Sequence, residues 1–528
     1  MEKKRCCLCL LLAILIIAGF LRFWQLDLIP PGLYPDVAIN GNDALNALKT
    51  GDFKVFYPEN NGREGLFINL IAFSFAIFGP SVWAIKVVAA IIGTLTVLGL
   101  YLLTKEIFVN TKYEIQNTKY KFVPLLATFL FAASFWHLNF SRLGFRAIMV
   151  PFFLVFSFYF LFKSLNGRKV FPAVLAGIFF GLGFHTYIAF RVAPLLLPLV
   201  FIPFYFVYRK EGFQKKYFLL VLAYLAAVFI AALPIGLYFL NNPQDFMGRA
   251  AGVSIFAAAN PIKESALSLI KHLTMFVFIG DGNWRHNFAN SPQLPAVLGI
   301  IMYLGIVFIL KQLALRVKEK KWQEVAASLL LIGWFFTLLL PGILTAEGTP
   351  HALRTIGVLP VAYIFVGFGL FWLKEILKQR RMAFLLILFV ALFFGIFFDP
   401  LKYFVVWAKN SHVKGAFTEN YVEIGKFLNS LPENVSKYVV VNESGTPVPW
   451  PSGIPMPAQT PIFFESIVFG NPQATYLLPE ELSKIMIDRE KTVVVIMKED
   501  QELFGKLEEK FPFGRLKEYG GVWRFEID

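Results

Sequence analysis

Pro30-Pro31-Gly32-Leu33-Tyr34-Pro35-Asp36 comes just after the first apolar run of the chain, Leu8 to Phe23. The prolines and the glycine end that helical run and fix a turn. The turn presents Asp36 just outside a membrane-length segment. A carboxylate close to a bilayer face costs free energy unless it is paired, hydrated or used, so Asp36 is a functional candidate. Apolar runs broken by polar turns then repeat as far as Pro400, and that repetition decides the fold class.

Composition agrees. Hydrophobic residues make up 57% of the 528, charged residues 16%, and 60 residues are Phe. With a mean hydropathy of +0.61, this is the profile of an α-helical polytopic membrane protein. The net charge of +15 is not a nucleic-acid signal, because the bases sit in short clusters between apolar runs and no basic face carries interleaved aromatics. Cys6, Cys7 and Cys9 all lie at the start of the first helix and cannot staple an external domain. Lys3, Lys4 and Arg5 precede an apolar core, but no small-residue cleavage site follows it, so the segment reads as an uncleaved anchor.

A spanning helix needs roughly 20 apolar residues. About eleven segments qualify on that length criterion: 6–24, 81–104, 122–140, 147–163, 170–188, 192–208, 217–240, 294–311, 324–341, 355–373 and 382–398. With the N-terminus in the cytoplasm, the inside loops hold Lys105 with Lys112, Lys119 and Lys121; Lys163 with Arg168 and Lys169; and Arg209, Lys210, Lys215 and Lys216. The last two hold Lys311, Arg316, Lys318, Lys320 and Lys321, then Lys374, Lys378, Arg380 and Arg381. That bias sets the orientation through the positive-inside rule. An odd span count puts the C-terminal segment outside the plasma membrane, on the side of Asp36. The run Leu66 to Phe78 is too short to span and is predicted to lie along the outer surface.

After Pro400 the pattern changes. Residues 410–528 alternate helical and β-branched stretches, with strands expected at Lys437–Val441 and Thr492–Met497 and helices at 479–489 and 501–511. Gly520-Gly521 suits a hairpin turn, and 446–461 reads as a Pro-rich ordered loop. The expected organisation is a transmembrane domain over 1–400, with an external first loop at 25–80, and a small extracytoplasmic α/β domain over 410–528.

Ionisable residues gather in the segments assigned to the outer face, 25–65, 241–293 and 342–354, whereas the span interiors carry almost none. An ion-coupled transporter usually needs them at mid-membrane. The first segment offers Asp36, Asp43, Arg63 and Glu64. The second offers Asp245, Arg249 and Gly280-Asp281-Gly282-Asn283-Trp284-Arg285-His286-Asn287; the third, Glu347, His351 and Arg354. Each has a plain alternative. Asp36 could cap a helix beginning near Val37, Asp43 could be structural, and Arg63-Glu64 could be a local ion pair. Asp281, Arg285 and His286 could form a solvated loop, and His351 and Arg354 could snorkel to headgroups. Arg142, Arg146 and Arg191 read as lipid-facing anchors. The N-x-Ser triplets at Asn139, Asn434 and Asn442 are too common to weigh.

In order and membrane side, these stretches resemble the glycosyltransferase C (GT-C) superfamily, of the kind grouped with family 39: protein O-mannosyltransferases and the lipid A aminoarabinose transferases. The resemblance rests on Arg22, the Pro30–Asp36 loop, Gly79-Pro80-Ser81 with Ala84-Ile85-Lys86, and Ser141-Arg142-Leu143-Gly144-Phe145-Arg146. It continues through Gly181-Leu182-Gly183-Phe184-His185-Thr186-Tyr187, the Asp281–Asn287 loop and Pro350-His351-Ala352-Leu353-Arg354, and covers about residues 1–400. It implies an inverting transferase that takes a monosaccharide from a polyprenyl-phosphate carrier and gives it to a protein, lipid or glycan acceptor. Asp36 matches the family's acidic residue in the first external loop. Sugar transfer from a lipid phosphate needs such a carboxylate at the acceptor hydroxyl and cations at the departing phosphate. Arg354, His351, Arg285, His286, Asp281, Tyr187 and Arg63 are the donor-site candidates, with Asp43 and Glu64 as secondary acids. Two positions depart from the pattern: Val37 follows Asp36 where an acidic pair is usual, and Lys86 stands where Arg is frequent. No cofactor is expected, and a divalent metal is not indicated, because Val37 leaves Asp36 without the acidic neighbour of a metal-bridging pair. A transporter of lipid or polysaccharide and a non-catalytic scaffold are the rival classes.

Overall fold

The computed structural model describes residues 2–108, 122–252, 254–487, 489 and 491–527. Lys112, Lys119 and Lys121 lie outside the described residues, as do the side chains of Lys3, Lys4, Arg5, Cys6 and Arg249. The chain divides into two units, one of Met1–Trp24 with Ala89–Trp407 and one of Gln25–Val88 with Ala408–Asp528.

Eight helices among the described residues are long and apolar enough to cross a membrane. They fall on predicted spans, and three shorter apolar helices, Cys7–Phe23, Val123–Ala133 and Val170–Gly183, fall on the others. Basic residues close the helices on one alternating set of ends: Lys105 in Val82–Glu106, Arg209 and Lys210 in Leu197–Lys210, Arg316 and Lys318 in Ala296–Lys318, and Lys374 in Leu359–Ile376. In the first unit the helices approach closely where small residues allow it. A Cβ on Gly305 would sit 1.9 Å from the Phe365 carbonyl oxygen, and one on Gly369 would sit 2.0 Å from that of Ile301. Those two contacts fix Ala296–Lys318 against Leu359–Ile376.

Two predicted spans are less regular than their sequences suggest. Segment 122–140 breaks at Ser134, whose extended backbone separates Val123–Ala133 from Phe135–Phe140. The expected 192–208 opens as a 3-10 turn, Ile188–Leu196, that contains Pro194, and turns α-helical only at Leu197. A proline lacks the N–H that a longer helix would need there.

The anchor reading of Arg142 is overturned. Its side chain is fully buried and donates to the carbonyls of Leu21 and Arg22 at 2.9 Å and of Trp24 at 2.8 Å. These are carbonyls at the C-terminal end of Glu2–Phe23, which the helix itself cannot satisfy. A buried guanidinium from elsewhere in the chain satisfies them instead. Arg22 does similar work, donating to Ala18 and Ala132 carbonyls and lying 2.7 Å from His137 Nδ1. Asp399, also buried, accepts the Phe135 N–H at 3.1 Å at the start of the short helix after the break. Arg191, in Ile188–Leu196, donates to the Phe246 carbonyl at 2.7 Å, a contact with protein.

In the second unit, Leu66–Phe78 is a 13-residue helix, about 20 Å long at 1.5 Å per residue. Phe67, Ile68 and Ile71 are buried while Phe73, Ile77 and Phe78 are exposed, the division expected of a surface-lying helix. The C-terminal part carries a five-stranded sheet. Val435–Val440 pairs in parallel with Thr475–Leu477 on one side and Lys491–Ile496 on the other. Val522–Ile527 adds antiparallel to Lys491–Ile496, and Arg515–Tyr519 closes the edge. The final hairpin turns on Gly520 and Gly521, both at positive φ, as a tight two-residue turn requires. Val493 and Val495 face one apolar cluster with Ile424 and Leu428; Val494 and Ile496 face another with Leu503 and Phe504. The alternation is the strand period of two. Of the helix expected at 479–489, the described residues show only a 3-10 turn, Pro479–Lys484, and the Pro-rich loop becomes helical from Gln459.

Candidate functional site

The Asp36 loop belongs to the second unit. Its helix is Pro35–Thr50, with proline in the first turn and no side-chain cap at Tyr34. Asp36 is therefore inside the first turn and is not the cap that the sequence allowed. Its Oδ1 accepts from Asn60 Nδ2 at 2.9 Å, and a carboxylate is favoured there because the helix N-terminus carries partial positive charge. The loop before it is held on several sides. The Leu33 carbonyl accepts from the hydroxyls of Thr418 (3.2 Å) and Thr460 (2.9 Å), and the Pro30 carbonyl from Lys86 Nζ (3.0 Å). Gly32 lies at φ +75, and a Cβ there would come within 2.3 Å of the Phe417 carbonyl oxygen. Asn42 Nδ2 donates to both the backbone and the side chain of Gln459. Asp36 thus stands half-buried on a scaffold with little freedom.

The other first-loop residues do different work. Arg63 is 1% exposed; it pairs with Asp43 at 2.6 Å and donates to Asn40 Oδ1 at 2.8 Å and to the Glu59 carbonyl at 3.2 Å. The expected Arg63-Glu64 ion pair gives way to this longer-range one, because neighbours on a strand point to opposite faces. Burial pushes the Asp43 carboxyl up and Arg63 beside it only partly offsets that. Arg63 and Asp43 hold the loop, and Glu64 is buried in the two-residue ladder Phe56–Tyr57/Arg63–Glu64.

The second cluster lies in the first unit. Asp281 and His286 are both buried. Asp281 Oδ1 accepts from the Asn283 N–H at 2.7 Å, and Oδ2 accepts from the Ala352 N–H at 2.8 Å. The same Oδ2 is 3.0 Å from His286 Nδ1 and 3.9 Å from His351 Nδ1. The two imidazoles lie 5.0 Å apart at 32°, and Phe140 stacks on His286 at 5.8 Å. His272, in the helix Pro261–Thr274, supports His351 from behind. Its Nδ1–H donates to the Ser268 carbonyl at 2.8 Å and its Nε2 accepts the His351 N–H at 3.1 Å. Burial lowers the His272 pKa, and the two bonds match one neutral tautomer. Asp281, His286 and His351 bring three potential ligand atoms within 4.8 Å of one another. Beside them is a cavity of about 630 Å³ lined by Lys271, Asp281, Asn283, Asn290, Thr349 and Pro350 among others.

Arg354 is held loosely, at 3.8 Å from the exposed Glu347 carboxylate and 3.4 Å from its carbonyl. Arg285 has its carbonyl bound by Asn139 Nδ2 at 2.8 Å, and the Trp284 carbonyl accepts from Trp407 Nε1 at 3.1 Å. Tyr187 is buried with the Arg146 guanidinium 5.4 Å over its ring. Sequence reasoning does not single out Asn60 or His272, and it takes Asn139 only as the start of an N-x-Ser triplet. Asn139 carried a signal, since it belongs to a run of polar residues, Ser134, His137, Asn139, Ser141 and Arg142, inside an apolar stretch.

No protein-family profile and no characterised protein matches the chain by sequence. Among solved structures, ArnT from Cupriavidus metallidurans bound to undecaprenyl phosphate aligns with 98% of this chain and 97% of its own at TM-score 0.55 and 12% identity. The same protein in its apo state aligns at TM-score 0.54 and 10% identity over 99% and 98%. An oligosaccharyltransferase from Archaeoglobus fulgidus is a weaker match, TM-score 0.45 at 16% identity over 80% and 58%. At the ArnT identities the likeness is one of fold: the chain is a multi-pass helical protein that shares the fold of those structures, with a small C-terminal sheet domain.

Proposed function

We propose that the protein is an integral-membrane inverting glycosyltransferase that moves a monosaccharide from a polyprenyl-phosphate carrier to a hydroxyl acceptor on the outer face of the plasma membrane. The fold supports the class of reaction. The observation that carries the reading is Asp36, a carboxylate in the first turn of its helix, oriented by Asn60 on a loop pinned through the Leu33 and Pro30 carbonyls. In the proposed step Asp36 accepts the acceptor's hydroxyl proton. The acceptor oxygen bonds to the anomeric carbon from the face opposite the phosphate, the carbon–oxygen bond to phosphate breaks, and polyprenyl phosphate leaves. Charge grows on that phosphate, which a guanidinium stabilises through its planar donor fork. Arg354 is the cation assigned to it, because Glu347 holds it only weakly, and Arg285 remains a second candidate. Arg63 drops out, since its donors are used within the first loop.

Asp36→Asn in the full-length protein tests the assignment. The amide keeps the shape and loses the base, so turnover should fall by roughly 10²–10⁴-fold, with donor binding and melting temperature retained. A folded Asn variant that transfers sugar at the wild-type rate would remove Asp36 from catalysis and leave Glu64 as the next carboxylate to test.

A further inference from the structure

We infer that the helix Arg381–Trp407 carries, at the end opposite Arg381, a binding site for one phospholipid with a primary-amine headgroup, of the phosphatidylethanolamine class. Its ammonium sits at Asp399 and its phosphate at Lys402. The site uses none of the residues assigned to sugar transfer, and the inference does not rest on that reading.

Level in the membrane is the first ground. Counted at 1.5 Å per residue, Asp399 and Lys402 lie about 30 Å along the helix from Arg381. That is roughly the thickness of a bilayer's hydrocarbon core, so both charges reach the level of the headgroups on the face opposite Arg381. The helix Ala296–Lys318 brings its non-basic end to the same place.

The second ground is a cavity there, separate from the one beside Asp281. Phe135, Gln293, Phe394, Phe398, Asp399 and Lys402 are among the residues around a space of about 340 Å³, within the size range of small-ligand sites. Phe394 and Phe398 are 36% and 38% exposed, on a helix few of whose residues are buried. The apolar wall therefore continues onto the outer side of the helix, where acyl chains run.

The third ground is the arrangement of charge. Asp399 is 4% exposed, and its carboxylate accepts the Phe135 N–H at 3.1 Å, one bond where a carboxylate offers about four acceptor sites. The Lys402 ammonium stands 5.2 Å from the ring centroids of Phe135 and Phe288, and among the described residues no ion pair within 4 Å joins it to Asp399. A headgroup with opposite charges at its two ends fits that pair. A primary ammonium gives N–H groups to the carboxylate, and the phosphate accepts from Lys402. A choline headgroup has no N–H to give, and a glycerol headgroup has no cation. Gln293 is buried with neither polar atom of its carboxamide partnered. Buried amides are normally bonded, and rotation of this side chain presents it to a lipid's phosphate or ester oxygens.

The backbone is the fourth ground. The helix is π-wound on both sides of Asp399, over Phe393–Phe398 and Lys402–Trp407. Such turns are rare and frequent at functional sites.

The test is native mass spectrometry of the full-length protein, delipidated in detergent and titrated in parallel with dioleoyl phosphatidylethanolamine, phosphatidylcholine and phosphatidylglycerol. One equivalent of phosphatidylethanolamine should bind roughly tenfold or more tighter than either other lipid, the worth of a hydrogen bond to a charged group. Asp399→Asn keeps an acceptor for the Phe135 N–H and should erase most of that preference. Lys402→Met should weaken phosphatidylethanolamine binding by a similar factor. Lys378→Met, at an exposed lysine before Arg381, should change neither. Circular dichroism and melting temperature establish that each variant is folded. Three results would each overturn the inference: phosphatidylethanolamine bound no tighter than the other two lipids, a folded Asp399→Asn protein that keeps the preference, or one-for-one displacement by an equal concentration of polyprenyl phosphate. Lys402 is only half-buried, so Lys402→Met localises the site even if Asp399→Asn fails to fold; unchanged binding in that variant would also overturn it. Because the readout is lipid bound rather than sugar transferred, failure of this site and failure of the transferase reading give different results.

Discussion

Three carbonyl groups at the end of the first helix depend on one side chain, Arg142. A buried acceptor left unmade costs about 1–3 kcal/mol, so Arg142→Met should destabilise the protein by several kcal/mol, seen as a clear drop in melting temperature in detergent. Arg142→Lys should recover only part of it, because an ammonium lacks the planar fork that spans Leu21, Arg22 and Trp24. An Arg142→Met protein that melts with the wild type would show that water reaches those carbonyls. Arg354 makes the opposite prediction. Its partner Glu347 is exposed, so Arg354→Ala should leave the melting temperature almost unchanged while donor affinity and turnover both fall, as expected of a contact that strengthens with developing charge. The sequence marked both arginines as polar residues beside apolar runs. It could not separate them, because which face a side chain takes at a helix break is set by contacts more than a hundred residues away.

Glu526 ties the last strand to its neighbours, accepting from Lys491 at 2.8 Å and Lys517 at 2.9 Å and forming an ion pair with Arg524 at 2.9 Å. Burial is the largest influence and pushes its carboxyl up, but the two lysines together outweigh it and hold the pKa down at about 2, against an ordinary 4.5. A folded value below the unfolded one means that its stabilisation is complete above about pH 4.5 and is lost as the pH falls towards 2. Hydrogen-exchange protection factors, corrected for the intrinsic pH dependence of exchange, should therefore fall in Lys491–Ile496 and Val522–Ile527 across that window, and Glu526→Gln should flatten the dependence. Unchanged protection factors between pH 5 and about 2.5 would contradict it. At this scale the sequence was legible where one period dominated: the β-branched strands, the Gly520-Gly521 hairpin and the long apolar helices. It was less so where a local exception governed. Pro35 occupies the first helical position, where its missing N–H costs nothing, so the helix starts before Asp36. Ser134 breaks a run that hydropathy alone reads as continuous.

For the whole molecule, the apolar runs and the basic clusters between them were readable because membrane thickness imposes one length on every span. The grouping of 25–88 with 408–528 was not, since it rests on contacts such as Thr460 to Leu33, 427 residues apart. Nor was the Asp281–His286–His351 cluster, whose members are unremarkable singly and meet only through folding. Sidedness is testable directly. In a background with Cys6, Cys7 and Cys9 changed to Ser, Asp52→Cys, Lys263→Cys and Ser444→Cys should label from outside intact cells, and Lys378→Cys only after lysis. Protection of Ser444→Cys until lysis would remove the odd span count. The central claim is that the carrier of the sugar is a lipid phosphate. Its most direct test is to incubate purified protein in lipid with a panel of polyprenyl-phosphate monosaccharides and of nucleotide sugars, and to follow the carrier by mass spectrometry. The account predicts enzyme-dependent release of polyprenyl phosphate from at least one lipid-linked sugar, with the nucleotide sugars untouched; turnover of a nucleotide sugar with every lipid-linked sugar intact would contradict it.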